Sequence, residues 1–523
     1  MTRMALLLAS VGALALGAGQ SAAQQFTCPK KGGEITFAME AKVNSLDLVA
    51  SGAVSSRDIA LQIQDSLMTR DENSNPIPQL AQSVEQSQDG KTYVFKLWPG
   101  VKFHNGKPLT TTDVVASFDR FKKIGINRGI LDVVDNYEAT DPLTFVIHMK
   151  APQPTFLENL SSFGAPPVIV PAEIANAAPM QLQPIGTGPW QFVEFVPDSH
   201  VKLKRYDGYV ADTRYKDIDG FGGYRVACFD SVVYRIVTEP GARVAGLETG
   251  ELQGVEDVPT KSQERLKQNK NVVLKQMNNF WIQISIPNFS APPTDNLKFR
   301  QAVQAALDMD EILEAATDGA YRLNPAFLYP GQNFYTEIGK EAYNQKNPAK
   351  AKKLLAEAGY KGEETILLTN RDYTSMYNAA LVMSEQLKAV GVNVKLVVLD
   401  WPASSQFQAN NTAGWNIYFT GWATPPAVGG AEALRNLAAP YSTYKPKTPA
   451  DADKEFDAAF REIENNSNMQ ARAAGFAKAQ ARVFDQVMAL PFGSLTKVQA
   501  VRANVQNFRP FRIPRMSNVY FSG

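Results

Sequence analysis

The chain has 523 residues, enough for about three structural units of roughly 150 residues each. A 44% hydrophobic and 20% charged content excludes wholesale disorder, and Lys+Arg 53 against Asp+Glu 52, a net charge of +1, leaves no basic surplus for a general nucleic-acid or anionic-membrane surface. Three histidines (His104, His148, His200) and two cysteines (Cys28, Cys228) exclude most multi-ligand zinc sites.

The basic start Met1 to Arg3, the apolar stretch Met4 to Gly19 and the small residues Ser21, Ala22 and Ala23 predict a signal peptide over 1–23, cleaved after Ala23. Gln25, Phe26 and Thr27 before Cys28 do not form a lipobox, so a lipoprotein is not expected. Export permits a Cys28–Cys228 disulfide, the one intramolecular pairing that two cysteines allow. The mature chain has no apolar run long enough to span a bilayer.

Alternating runs at 35–39, 93–97 and 145–149 predict half-buried strands. Residues 110–121 predict a threonine-capped helix with Val114, Val115, Phe118 and Phe121 on one face. Prolines break 151–184 into short pieces, and strand-like runs return at 200–205 and 231–237. In the second half, Asn347 and Pro348 open a helix that Gly359 closes. A strand at 365–369 follows, then a helix carrying Met376, Ala379, Ala380, Met383 and Leu387, stopped by Gly391. The β-branched run 392–399 predicts a buried strand, 402–411 a short helix and 415–419 a third strand. That β-α-β-α-β order predicts parallel strands joined by right-handed crossovers. Helices near 452–464 and 469–488 close this half.

In an open α/β sheet ligands bind beyond the carboxyl ends of the strands. Those positions are Asn370, Arg371 and Asp372; Asp400 and Trp401; Gly421 and Trp422. A helix starting near Thr374 would aim its N-terminus at the same rim, and an arginine there suits a carboxylate. Arg371 could equally be solvated or paired with Asp372. Four of the six tryptophans (Trp281, Trp401, Trp415, Trp422) fall between 281 and 422, as core or as flat ligand walls. No Gly-x-Ser-x-Gly, HExxH, CxxC or Walker A pattern occurs, and Gly186 to Pro189 lacks the lysine of a phosphate loop. Carboxylate-only hydrolysis is a remote alternative.

The runs Gln79 to Ser83, Gln88 to Leu97, Gly100 to Gly106 and Leu109 to Arg120 resemble the signature of the extracellular solute-binding proteins, family 5, the peptide, nickel and opine receptors of ABC importers. Ile185 to Pro189, Leu297 to Asp308 and Ala349 to Tyr360 resemble further blocks of that family. The resemblance implies an α/β, two-lobed periplasmic binding protein of the Venus-flytrap kind (type II, cluster C). Lobe I would take 24–277 with an extra subdomain over about 66–186, lobe II 278–488, and a C-terminal return 489–523. It implies a periplasmic receptor, monomeric and without enzymatic activity, cofactor, metal or nucleic acid. Such a receptor would capture a small solute and deliver it to an inner-membrane ABC permease.

Arg371 matches the arginine that binds the ligand carboxylate in dipeptide receptors, and Tyr373 belongs to the same segment. Trp422 matches the Gly-Trp block, three residues after which peptide receptors carry an aspartate for the ligand ammonium. Here Pro425 holds that place, with no acid from Gly414 to Ala431. A buried ammonium without a counter-charge is costly. The expected ligand is therefore a carboxylate-bearing solute without an obligatory free amine: an opine, a modified peptide or an organic acid. The expected wall is Arg371, Trp401, Trp422, Trp281, Glu40 and Tyr373. In the alternative, an ordinary di- or oligopeptide, Glu40 or Asp400 would meet the ammonium. No histidine lies in 278–488, which disfavours nickel.

Overall fold

A computed structural model describes residues 24–423, 434–440 and 442–523. The proposed leader and Pro425 lie outside the described residues.

Eleven strands form one mixed sheet that runs through the molecule. At its centre the strands Val272–Pro287 and Leu490–Arg502 pair antiparallel, from Val272 opposite Arg502 to Ser285 opposite Leu490. Their register breaks between Met277 and Trp281, in the middle of the long strand. On one side of the pair lie Gly254–Val255, Glu34–Met39, Ser231–Ile236, His200–Arg205 and Trp190–Val196. Their core holds Ile35, Phe37, Trp190, Val232 and Tyr234. On the other side lie Ile417–Trp422, Thr365–Asn370 and Val394–Leu399, over a core with Leu367, Met376, Met383, Ile417 and Phe419.

The expected crossover unit is present. Thr365–Asn370 pairs parallel with both Val394–Leu399 and Ile417–Trp422. The helix Thr374–Ala389 between them buries Met376, Ala379, Ala380, Met383 and Leu387 against the sheet. One expectation is corrected. Val394–Leu399 is not a buried strand: among the described residues it ends the sheet with one edge unpartnered, and its residues are half-buried or exposed. β-branched content reports fit to a pleated surface, and an edge offers that as well as a centre does.

A separate four-stranded antiparallel sheet (Ala81–Gln86, Thr92–Leu97, Thr144–Met149, Val134–Asp141) packs beneath the helix Thr111–Ile124. Asp113 Oδ2 accepts the Thr110 N–H at 3.0 Å, which fixes the helix start. Phe118 and Phe121 are fully buried among Phe95, Phe145 and Ile147. Val115, expected on the same face, is only half-buried. Cys28 and Cys228 form a disulfide with Cα atoms 5.6 Å apart. Among the described residues no helix is long and apolar enough to cross a membrane.

Candidate functional site

The parallel register sets Asn370 opposite Leu399, so two of the three predicted strand ends lie side by side. Asn370 Oδ1 accepts the Tyr373 N–H at 2.9 Å and turns the chain into the helix Thr374–Ala389. Asp400 caps the next helix, Trp401–Asn410, by accepting the Ala403 N–H at 2.9 Å. These two turns fix the rim.

A cavity of about 1490 Å³ opens between the two halves of the main sheet and the four-stranded unit. Segments around 50–57, 124–133, 276–280, 401–410, 418–423 and 435–448 line it. Trp401 and Trp422 are both in the wall and nearly buried. The Trp422 ring lies 6.1 Å from that of Phe327, and the Trp401 indole N–H has no acceptor among the described residues. Tyr373 and Trp281 stand behind the wall, outside the lining. Tyr373 meets both indoles edge-on, at 5.3 Å to Trp281 and 5.1 Å to Trp401. Trp281 lies over Gly421, where a Cβ would come within 2.9 Å of the indole; glycine lets the ring seat there. Trp415 is core, its Nε1 donating to the Asn411 carbonyl at 2.9 Å.

Arg371 takes no part in the lining. It is exposed, and its guanidinium lies 5.6 Å from the Tyr377 ring centroid, along the surface of its own helix. The residue beside it reaches inward instead. Asp372 is buried, and its Oδ2 accepts the Trp401 N–H at 3.2 Å and, from just past the strand Glu34–Met39, the Lys42 N–H at 2.9 Å. Burial raises its carboxyl pKa. Lys42 in turn pairs with Asp198 at 3.1 Å and Asp400 at 3.8 Å.

Glu40 also lies outside the lining. It is buried against Lys497, with Arg243 at 3.9 Å and its N–H bonded to Glu256 Oε2 at 3.2 Å. Lys497 sits 3.3 Å from Glu256 and 4.5 Å from the Phe280 ring centroid. Burial, which outweighs the pull of Lys497, pushes Glu40 up to about 8. The cluster therefore occupies the junction of the first strand with the two central strands and is already partnered.

The charge of the wall comes from residues the sequence did not single out. Among the described residues Arg57, Arg128, Arg435, Lys445, Lys447 and Arg512 line the cavity, against the acids Glu72, Asp132 and Glu464. Arg57 grips Asp58 through two N–H groups, Arg435 pairs with Glu464 at 2.7 Å, and Lys447 with Asp295 at 3.0 Å. Glu72 is held by Arg515 at 2.6 Å. Lys445 differs: its Nζ donates to the Ala409 carbonyl at 2.7 Å, and no carboxylate faces it among the described residues. Burial lowers its pKa. Two lysines flanking Pro446 carry no signal in sequence, because only the fold brings 445 against the end of the helix Trp401–Asn410.

None of the three histidines lines the cavity. His104 Nε2 lies 2.9 Å from the Gly188 carbonyl, His148 is 3.5 Å from Glu138 and His200 3.2 Å from Glu194. Among the described residues no group of His, Cys, Asp and Glu is arranged to hold a metal ion.

Residues 75–438 match the family model of the bacterial extracellular solute-binding proteins, family 5. A probable peptide ABC transporter periplasmic-binding protein of Sinorhizobium fredii, y4tO, is 29% identical over 406 residues, 74% of this chain and 75% of that one. The glutathione-binding protein GsiB of Pectobacterium atrosepticum is 28% identical over 397 residues, 74% of each chain. The binding protein AgaA of A. tumefaciens R10, solved with agropinic acid, superposes with a TM-score of 0.80 over 94% of this chain and 99% of its own, at 22% identity.

Proposed function

Because the chain belongs to the bacterial extracellular solute-binding proteins, family 5, we propose that its cavity holds an anionic, carboxylate-bearing solute and hands it to an inner-membrane ABC permease. The observation that carries this reading is the wall charge: among the described residues, six cations against three acids, with Lys445 facing no carboxylate. A free α-ammonium would add to that surplus. One relative is named for glutathione, an anion overall that nevertheless keeps a free α-ammonium, and one neighbour was solved with agropinic acid.

The cavity volume of about 1490 Å³ exceeds the ~300–1,000 Å³ of sites for drug-sized ligands. It equals roughly fifty waters at ~30 Å³ each. An opine, a blocked peptide or an organic acid fits with water around it. Trp401 and Trp422 supply flat apolar walls for the ligand's carbon frame. We place lobe I at 24–277, with its subdomain at about 66–186, lobe II at 278–488 and the return at 489–523. The hinge then falls at the register break between Met277 and Trp281. Ligand held by both lobes would shift an open–closed equilibrium toward the closed shape that the permease reads. The role is binding rather than turnover, in the periplasm, after removal of 1–23.

Calorimetry with N-acetyl-dialanine, its C-terminal amide, free dialanine, glutathione and agropinic acid tests the ligand class. At least one carboxylate should bind, and amidation of N-acetyl-dialanine should not strengthen it. Preference for the amide, or for free amines over acetylated forms, would overturn the reading in favour of ordinary peptides. Native mass spectrometry of fresh protein would identify a co-purified solute directly.

A further inference from the structure

Lys445 stands apart from the other described cations of the cavity wall. Its backbone has φ of +52°, in the left-handed region that a non-glycine residue seldom occupies. Three contacts hold that shape. The Lys445 N–H bonds the Ser442 carbonyl at 3.3 Å, its carbonyl accepts Ser290 Oγ–H at 2.8 Å, and Gln408 Nε2 donates to the Thr443 carbonyl at 2.9 Å. The last contact stitches this segment to the helix Trp401–Asn410, whose first residue is already in the wall. Backbone held in a sparsely populated region by surrounding contacts is often found where a side chain must be aimed.

An ammonium carries three donors. One goes to the Ala409 carbonyl at the helix C-terminus, an end that favours cations. The other two have no carboxylate acceptor among the described residues. The side chain is about half-buried, and a charge withdrawn from water without a partner is costly. Arg57, Arg435 and Lys447 have met that cost with Asp58, Glu464 and Asp295.

We propose that Lys445 is the seat of the solute's carboxylate, its two remaining N–H donors pairing with that group inside the cavity. This rests on the reading of the cavity as a site for an anionic solute, but it commits to one residue and one group. Arg371 then has no part in holding the carboxylate.

The test needs no identified ligand. Lysines are dimethylated with 13C-formaldehyde, and the Lys445 resonance is assigned by its loss in Lys445→Arg, with Lys445→Gln as second assignment should one variant fold poorly. Acetate is titrated at constant ionic strength, with acetamide as the neutral control. A saturable shift of Lys445 with acetate and none with acetamide is expected, while the exposed Lys353 stays still. Equal movement with acetamide, or movement no larger than that of Lys353, would overturn the assignment. If Lys445 responds to acetate but every carboxylate in the calorimetric panel fails, the seat stands and the ligand class falls. If carboxylates bind and Lys445 is silent, the ligand class stands and the seat falls.

Discussion

Glu40→Gln examines the buried charge cluster where the first strand meets the two central strands. Glu40 is 5% exposed and shares its surroundings with Lys497, Arg243 and the acids Glu256 and Asp257. Three acids against two cations leave one negative charge in excess in a dry place. Glu40 resolves this by holding a proton, since burial raises its pKa from 4.5 to about 8. A folded-state pKa above the unfolded one means the folded chain keeps a proton that the unfolded chain has shed. Stability must then fall as pH rises between 4.5 and about 8. A gap of about 3.5 pH units at ~1.4 kcal/mol each caps the loss near 5 kcal/mol, the pull of Lys497 being already contained in that gap. Glutamine mimics the protonated acid and does not titrate. Urea unfolding from pH 4.5 to 8.5 should therefore show variant and wild type nearly level at the acid end, with the variant gaining up to about 4 kcal/mol on the wild type by pH 8. Were the ionised Glu40–Lys497 pair the stabilising form, the same substitution would instead cost ~3–5 kcal/mol above pH 5. A difference that is constant with pH, or that favours the wild type at pH 8, refutes the reasoning.

Three other substitutions address separate contacts. The Cys28–Cys228 bridge closes a 200-residue separation, for which loop entropy gives about 5 kcal/mol as an upper figure. Cys28→Ser/Cys228→Ser should lower the urea midpoint, and dithiothreitol should bring the wild type down to the variant; a reductant-insensitive wild type would contradict the bridge. Arg371→Ala removes an exposed cation–π contact worth at most ~1 kcal/mol and touches no lining residue. Calorimetry should find affinity for any bound carboxylate within about twofold, and a tenfold loss would restore Arg371 to the site. Asp372→Ala deletes a charged acceptor that joins Lys42 to Trp401 across the proposed lobes, an interaction of ~1.5–3 kcal/mol. Spin labels at Asp89 and Lys353 should then report a wider lobe-to-lobe distance distribution, and an unchanged distribution would exclude Asp372 as a clasp.

Local order was legible in the sequence wherever one stretch carried its own signal. Asn347 and Pro348 start a helix because the asparagine side chain caps the Lys350 N–H and proline suits the first turn. The spacing of Met376, Ala379, Met383 and Leu387 could only face a sheet from a helix. The parallel pairing of the three strands followed from the alternation of elements. The wall of the cavity was half legible. Trp401 and Trp422 line the cavity because strand ends define its rim. Arg371 was placed in the site by position, yet its neighbour Asp372 turns inward and Arg371 outward, and adjacent residues at a strand end point opposite ways. Lys445 and Arg57 escaped because their roles depend on contacts between segments far apart in the chain. A pairing such as Thr155 Oγ1 with the Glu464 carbonyl, 309 residues away, has no trace in either segment alone.

The same contacts set how the receptor must work. Across the cleft, Lys42 meets Asp372, Glu158 meets Arg472 at 3.0 Å, and Asn159 meets Arg435 and Glu464. Glu158 and Asn159 belong to the unit built on the four-stranded sheet and tie it to Arg435, Glu464 and Arg472. Partly exposed polar links of this kind contribute about 0.5–1.5 kcal/mol each. On the proposed reading, an anion held from both sides of the cavity adds its attraction in the closed form only, and a differential affinity of about 5.5 kcal/mol would move an open–closed equilibrium from 1:99 to 99:1.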